Sequence, residues 1–151
     1  MKIIIIEFFM AFMACLFFAI VYNTPKKELI FCGLFGGLGY ALYYYLSHFG
    51  GFGVSANFCG ALLIAFMARI LSINRQIPVM VYVLPAVFPL SPGANMYNAA
   101  YAVIKSDMFT AGVQTMICIK IVGVCVIAIL IVLSLPESIF RPLKRKQAAE
   151  K

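Results

Sequence analysis

Charge is what this chain has least of, and acid least of all. Only 11% of its residues are charged, and five of its 151 residues are carboxylates against twelve lysines and arginines. Ordinary soluble domains are about a quarter charged and about half apolar, so an apolar content of 64% excludes a soluble globular domain. Histidine occurs once, as His48 in a turn, and there is no H-E-x-x-H, Walker loop or G-x-S-x-G. No catalytic constellation can be assembled, and the chain reads as a non-enzyme without cofactor or metal. The five cysteines, Cys15, Cys32, Cys59, Cys118 and Cys125, form no C-x-x-C pair and no cluster with histidine. They read as small apolar packing residues rather than a disulfide framework. Tryptophan is absent, so the interfacial belt falls to tyrosine: Tyr43, Tyr44 and Tyr45 near one end of the second apolar run, Tyr22 at the end of the first.

What is present is a series of apolar runs, each near the ~20 residues that cross a bilayer. Five spans are predicted, at about 3–22, 29–47, 52–72, 78–104 and 109–135, in one transmembrane domain over 1–151 that ends in a basic tail at 136–151. The predicted fold is all-α and polytopic. The first span is not a cleavable signal, because one basic residue precedes it and no A-x-A-like site follows. Five spans place the termini on opposite faces. Lys26, Lys27, Arg69, Arg75, Arg141, Lys144, Arg145, Lys146 and Lys151 then share one face, against Lys2 and Lys105 on the other. The crowded face should be cytoplasmic, with the N-terminus outside. The net charge of +7 thus has a topological explanation, and the basic tail could touch anionic lipid rather than nucleic acid.

The second span carries Gly33 and Gly37 in a G-x-x-x-G pair, and the third carries Ala56 and Gly60 at the same spacing. Such pairs let helices approach closely, and the short turn between these spans predicts a tight hairpin. An odd number of spans without internal symmetry suits half of a larger assembly. The chain could dimerise or pair with a separate multi-span chain.

The fourth span is interrupted. Within Val83-Leu84-Pro85-Ala86-Val87-Phe88-Pro89-Leu90-Ser91-Pro92-Gly93-Ala94-Asn95, Pro85 and Pro89 remove backbone donors. Ser91 fits an N-cap, with Pro92 at the first helical position. Two half-helices should therefore meet near mid-membrane. Interrupted helices survive there mainly where they are buried in protein or line a polar cavity, which in transporters is the substrate site. The N–H groups of Gly93, Ala94 and Asn95 and the positive helix end would suit a carboxylate. The plainer alternative is a proline-kinked packing helix.

Asn95 could bond a ligand amine or hydroxyl, and Asn98 sits on a neighbouring face; both could instead bond other helices. Tyr97 and Tyr101, four apart, should stack. Lys120 lies at mid-depth in the fifth span, where a charge is costly and points to function. It could face a substrate carboxylate, serve a proton relay, or pair with a carboxylate on another helix or chain. Asp107, at the end of the fourth span, could act as gate, protonation site or helix cap. Glu7 could pair with Lys2 or Lys105. Glu28, Glu137 and Glu150 fall in loops or the tail.

The segment Pro89-Leu90-Ser91-Pro92-Gly93-Ala94-Asn95-Met96-Tyr97, followed by Lys105-Ser106-Asp107 and Ala111-Gly112, resembles the P-x-x-P-G…Y…S-G-D…A-G pattern of the threonine/serine exporter family. The glycine often found between the serine and aspartate is missing here. Val21-Tyr22-Asn23-Thr24-Pro25-Lys26 and the glycine-rich second span are similar to the family's small-subunit form. The resemblance implies proton-driven export of small amino acids across the bacterial inner membrane. The residues themselves put Ser91, Pro92, Gly93, Ala94, Asn95, Tyr97, Asn98 and Lys120 around the substrate and Asp107 and Glu7 as coupling or gating groups. It also implies a larger companion subunit of the same family. Some two-component members are associated with dicarboxylate export. A non-transporting structural subunit and a passive channel are the remaining alternatives.

Overall fold

The computed structural model describes residues 2–136, and Lys2 only by its backbone. The basic tail, with Glu137, Arg141, Lys144, Arg145, Lys146, Glu150 and Lys151, lies outside the described residues, as does the side chain of Lys2. The described chain is helical throughout: α1 (Lys2–Val21), α2 (Leu29–Phe49), α3 (Gly53–Arg75), α4 (Met80–Val87) running into a 3₁₀ turn (Phe88–Leu90), α5 (Gly93–Ile104) and α6 (Met108–Ser134).

α1, α2, α3 and α6 are each long and apolar enough to cross a membrane. The remaining crossing is built from two short pieces, α4 with its 3₁₀ turn and then α5. This is the polytopic all-α fold expected, with its discontinuity in the fourth span. At ~1.5 Å per residue the two pieces have similar lengths, so their junction falls near mid-depth.

Turns of a few residues join the crossings, and each carries one residue in the left-handed region: Asn23 (φ 55°), Gly51 (φ 65°), Gln76 (φ 56°) and Ser106 (φ 62°). A left-handed residue just past a helix stops it and turns the chain back. Lys26, Lys27 and Arg75 gather at the end formed by the first and third turns, here the basic end. Lys105 stands at the opposite end.

α2 is the central helix. It packs on α1, α3 and α4, while α6 packs on α3 and α5. Its glycine pair faces α1 rather than the hairpin partner α3: a Cβ at Gly33 would meet the Phe12 ring at 2.9 Å, and one at Gly37 the Phe8 ring at 2.9 Å. Gly36 faces both α1 and α4: a Cβ there would fall inside the Cys15 thiol of α1 and lie 3.2 Å from the Ala86 carbonyl of α4. The core is correspondingly small-grained, with Ala19, Cys32, Ala61, Ala68, Ala86 and Ala128 fully buried around Tyr82 and Ile64. Helices in lipid gain little from mutual apolar burial, so close backbone approach over small residues holds them together.

Candidate functional site

The break differs in detail from its expected form. α4 continues as a helix through Pro85, and the chain departs from helix only at Ser91, which is extended (φ −65°, ψ 142°). Ser91 does not cap α5. The cap position falls to Pro92 (φ −78°, ψ 51°), with no side-chain cap bond, and the Ser91 side chain is exposed. The Gly93 N–H is already taken by the Ser91 carbonyl at 2.8 Å, and the Met96 N–H by the Pro92 carbonyl at 2.9 Å. The N–H groups of Ala94 and Asn95 are left in the first turn of α5, at the positive end of the helix.

Buried thiols meet carbonyls of the broken helix. Pro85 has no N–H to give the Val81 carbonyl, and Cys32 Sγ donates to that oxygen at 3.6 Å. Cys15 Sγ donates to the Ala86 carbonyl at 3.9 Å, and Cys118 Sγ to the Pro92 carbonyl at 4.0 Å. Each contact is weak. Together they supply polar partners along an interrupted helix that has no water to turn to. Sequence reading saw only apolar packing in these cysteines.

The two halves sit in different surroundings. α4 is wrapped by α1, α2 and α3, and α5 packs essentially on α6 alone. Of α5 only Ala102 is buried, with Asn95 half-buried and Ala94, Tyr97 and Asn98 exposed. Tyr97 and Tyr101 stack with centroids 6.1 Å apart, and the Lys105 ammonium lies 4.6 Å from the Tyr101 ring. A Cβ on Gly93 would meet nothing within 4 Å. Ser91 and Pro92 line a groove of about 200 Å³ with Ile121, Val122 and Cys125 of α6. A larger groove of about 530 Å³ follows between Met96 and Ala99 of α5 and Thr115, Cys118, Ile119, Val122 and Gly123 of α6.

Lys120 lies elsewhere. It is exposed and lines an α6 groove with Phe109, Gly112, Val113, Met116 and Ile117, on a face turned from the break. Within this chain the two features are not brought together. Glu7 is half-buried in α1, and Lys105, offered above as its partner, lies over Tyr101 instead. Asp107 caps α6, accepting from the Thr110 N–H at 3.1 Å and the Thr110 hydroxyl at 2.6 Å. Those two bonds, the hydroxyl's first, hold its carboxyl below the ordinary aspartate range.

Glu28, in a loop by sequence, is a buried carboxylate. It is 2% exposed, accepting from the Tyr82 hydroxyl at 3.0 Å and from the Arg75 guanidinium at 3.2 Å. That is the ion pair found among the described residues. The available signal was indirect: a glutamate after a Lys-Lys pair in the first turn, at the same end of the bundle as an arginine 47 positions on that ends α3.

Residues 7–135 match the family described as threonine/serine exporter, ThrE. The chain belongs to the threonine/serine exporter family. The match spans all the crossings, so the broken helix, its flanking turns and the buried Glu28 all lie within the family's shared unit. An uncharacterized protein of Haemophilus influenzae is 28% identical over 92 residues, 61% of this chain. That stretch amounts to 31% of the relative, so the chain spans about a third of the length of the curated relative it matches. No solved structure matches. This exporter-family chain is a multi-pass membrane protein, and its family is one of transporters.

Proposed function

We propose that this chain is one subunit of a secondary active exporter for a small carboxylate-bearing metabolite, of the threonine or serine type, with the break as substrate site. The observation that carries the reading is the open first turn of α5 beside a mid-depth break. The Ala94 and Asn95 N–H groups and the helix dipole suit a carboxylate, and Gly93 leaves room for it to approach the backbone. Asn95 then bonds the substrate's amine or hydroxyl, and Tyr97, Asn98 and the exposed Ser91 line its path. Membership of an exporter family supports the class of function. Driving force by proton antiport, bacterial inner-membrane location and a cytoplasmic basic end belong to the same proposal. The charge bias between the two ends supports that orientation.

The exposed face of α5 is where a second chain closes the site, and we assign that place to the larger companion subunit rather than a second copy. Lys120, at mid-depth and facing outward, then meets a carboxylate of that subunit, because an unpaired charge in hydrocarbon costs several kcal/mol. A dicarboxylate offers the same chemistry to the α5 terminus and is the alternative substrate. A structural subunit without transport is favoured by one observation, that Lys120 and the break line different grooves. In that case Lys120→Ala and Asn95→Ala change complex yield and leave turnover per complex untouched.

Efflux of preloaded labelled threonine, then succinate, from cells with this chain and its companion tests the reading. Export that needs both chains and stops when the proton gradient is collapsed is expected. Flux that follows the substrate gradient alone means a channel, and an assembled complex that moves neither compound overturns the substrate assignment.

A further inference from the structure

α1 and α2 have different neighbours on the two sides of the break. On the basic side α4 lies on both, with its Ala86 carbonyl beside the Cys15 thiol and close to Gly36. Past the 3₁₀ turn the chain leaves with α5 for α6, so the halves of α1 and α2 away from the basic end are not covered by the fourth crossing. Leu90 forms the floor of the gap that remains. A Cβ at Gly60 of α3 would meet the Leu90 side chain at 2.9 Å and the Tyr43 Cβ of α2 at 3.4 Å. At ~1.5 Å per residue Leu90 stands about 6 Å beyond Ala86, and Glu7 about 12 Å beyond Cys15. Glu7 therefore sits about one turn past the floor, within the span of α1.

Polar groups collect at that level. Glu7 is half-buried and makes neither a hydrogen bond nor an ion pair among the described residues. Tyr40, one turn along α2 from Gly36, lies within electrostatic reach of Glu7. Its ring centroid is 5.5 Å from that of Tyr43, with the planes 52° apart, and both tyrosines are half-buried. Asn57 stands one turn beyond Gly60 on α3. It is 4% exposed, and its amide has no hydrogen-bond partner among the described residues. An unmatched carboxylate inside a span is costly and marks a site that a cation completes. Two tyrosine rings beside it favour an organic ammonium over a bare metal ion, because aromatic faces attract such cations.

We infer that Glu7, Tyr40, Tyr43 and Asn57 form a second site, on the exit side of the break, that takes the ammonium group of an amino-acid substrate. This rests on the proposed export and sharpens it. Glu7 supplies the counter-charge, Tyr40 and Tyr43 supply ring faces and hydroxyls, and the Asn57 amide, both donor and acceptor, serves the substrate's hydroxyl or carboxylate. The site also separates the two substrate classes. A dicarboxylate has no ammonium to set against Glu7 and meets a like charge there, so the pair of α1 and α2 selects the amino acid.

The probe is threoninol, which keeps the ammonium and hydroxyl of threonine and lacks the carboxylate that the α5 terminus would bind. It is titrated against the purified complex of this chain and its companion, read by thermal unfolding. Threoninol is expected to raise the unfolding temperature of the wild type. In Glu7→Gln the concentration needed should rise about ten- to a hundredfold, the size of one lost charge-assisted hydrogen bond. Tyr40→Leu, which leaves the carboxylate in place, should raise it severalfold and serves where Glu7→Gln does not assemble. No shift in the wild type, or the same titration in wild type and variants, overturns the inference. Sodium chloride that reproduces the shift at matched ionic strength also overturns it, because the site then takes an inorganic cation. In cells with both subunits, Glu7→Gln should cut threonine efflux per assembled complex and leave succinate efflux at the wild-type rate or above. Unchanged threonine efflux, or equal loss of both, overturns it. A wild type that moves no threonine counts against the proposed substrate, and the threoninol titration then decides the site by itself.

Discussion

α4 and α5 are two halves of one crossing, yet α4 buries four of its eight residues and α5 one of its twelve. The first half is held by three helices, by thiols set against its carbonyls and by the Glu28 pair. The second half leans on α6 and presents asparagines, tyrosines and an open backbone to its surroundings. An interrupted helix in a bilayer has to find partners for its backbone. Here the chain surrounds one half with three of its own helices and leaves the other packed on α6. On the proposed function the first half is scaffold and the second is the working surface.

Substitutions should separate the halves. The largest stability loss is expected for Glu28→Ala, which strands a buried tyrosine hydroxyl and an arginine. Losing one member of a buried pair costs about 3–5 kcal/mol, and the low end applies because Arg75 reaches water. A thermal-unfolding scan in detergent checks it, and Tyr82→Phe should lose less. Next comes Gly36→Leu, which drives a side chain into Cys15 and the α4 backbone. Overpacking of this kind costs about 1–3 kcal/mol, seen as reduced yield of monodisperse protein. The matching change in the other half, Gly93→Leu, meets open space and should leave yield unchanged. Equal losses at Gly36 and Gly93 would erase the distinction. A smaller effect is expected at Cys32→Ala, which removes a weak partner of the Val81 carbonyl and costs about 1 kcal/mol; Cys32→Ser restores a donor and should recover most of it.

The smallest effect concerns Asp107. Its carboxyl sits below its unfolded value, so the stability it adds to α6 is present above the ordinary aspartate range, near pH ~4. That contribution fades as pH falls through the lower folded value. Asp107→Asn keeps a cap and should flatten this acid dependence in a pH series of unfolding temperatures.

The crossings and the break were legible because each depends on local chemistry. Apolar runs of sufficient length mark spans, and three prolines with a glycine mark an interruption wherever they fall. The details that were not legible depend on which distant residue arrives. Ser91 looks like a cap by its neighbours, but ψ at Pro92 turns the chain so that Ser91 belongs to the end of the 3₁₀ turn. Pro85 sits inside α4 without ending it, and the carbonyl it frees meets the Cys32 thiol 49 positions away. Gly33 and Gly37 announce close packing without naming the partner, which is α1. Glu28 is in a turn by sequence and in the core by topology, since only the convergence of α3 and α4 buries it. For the same reason, nothing near Lys120 in sequence says that its face turns from the break.

The open turn of α5 carries the proposed function. Its most direct test is efflux of labelled threonine by Gly93→Leu and wild-type complexes compared at equal amounts of assembled complex. A side chain at Gly93 should fill the space above the Ala94 and Asn95 N–H groups, so export is expected to be lost with assembly intact. Wild-type efflux from that complex would contradict the assignment of the break as the substrate site.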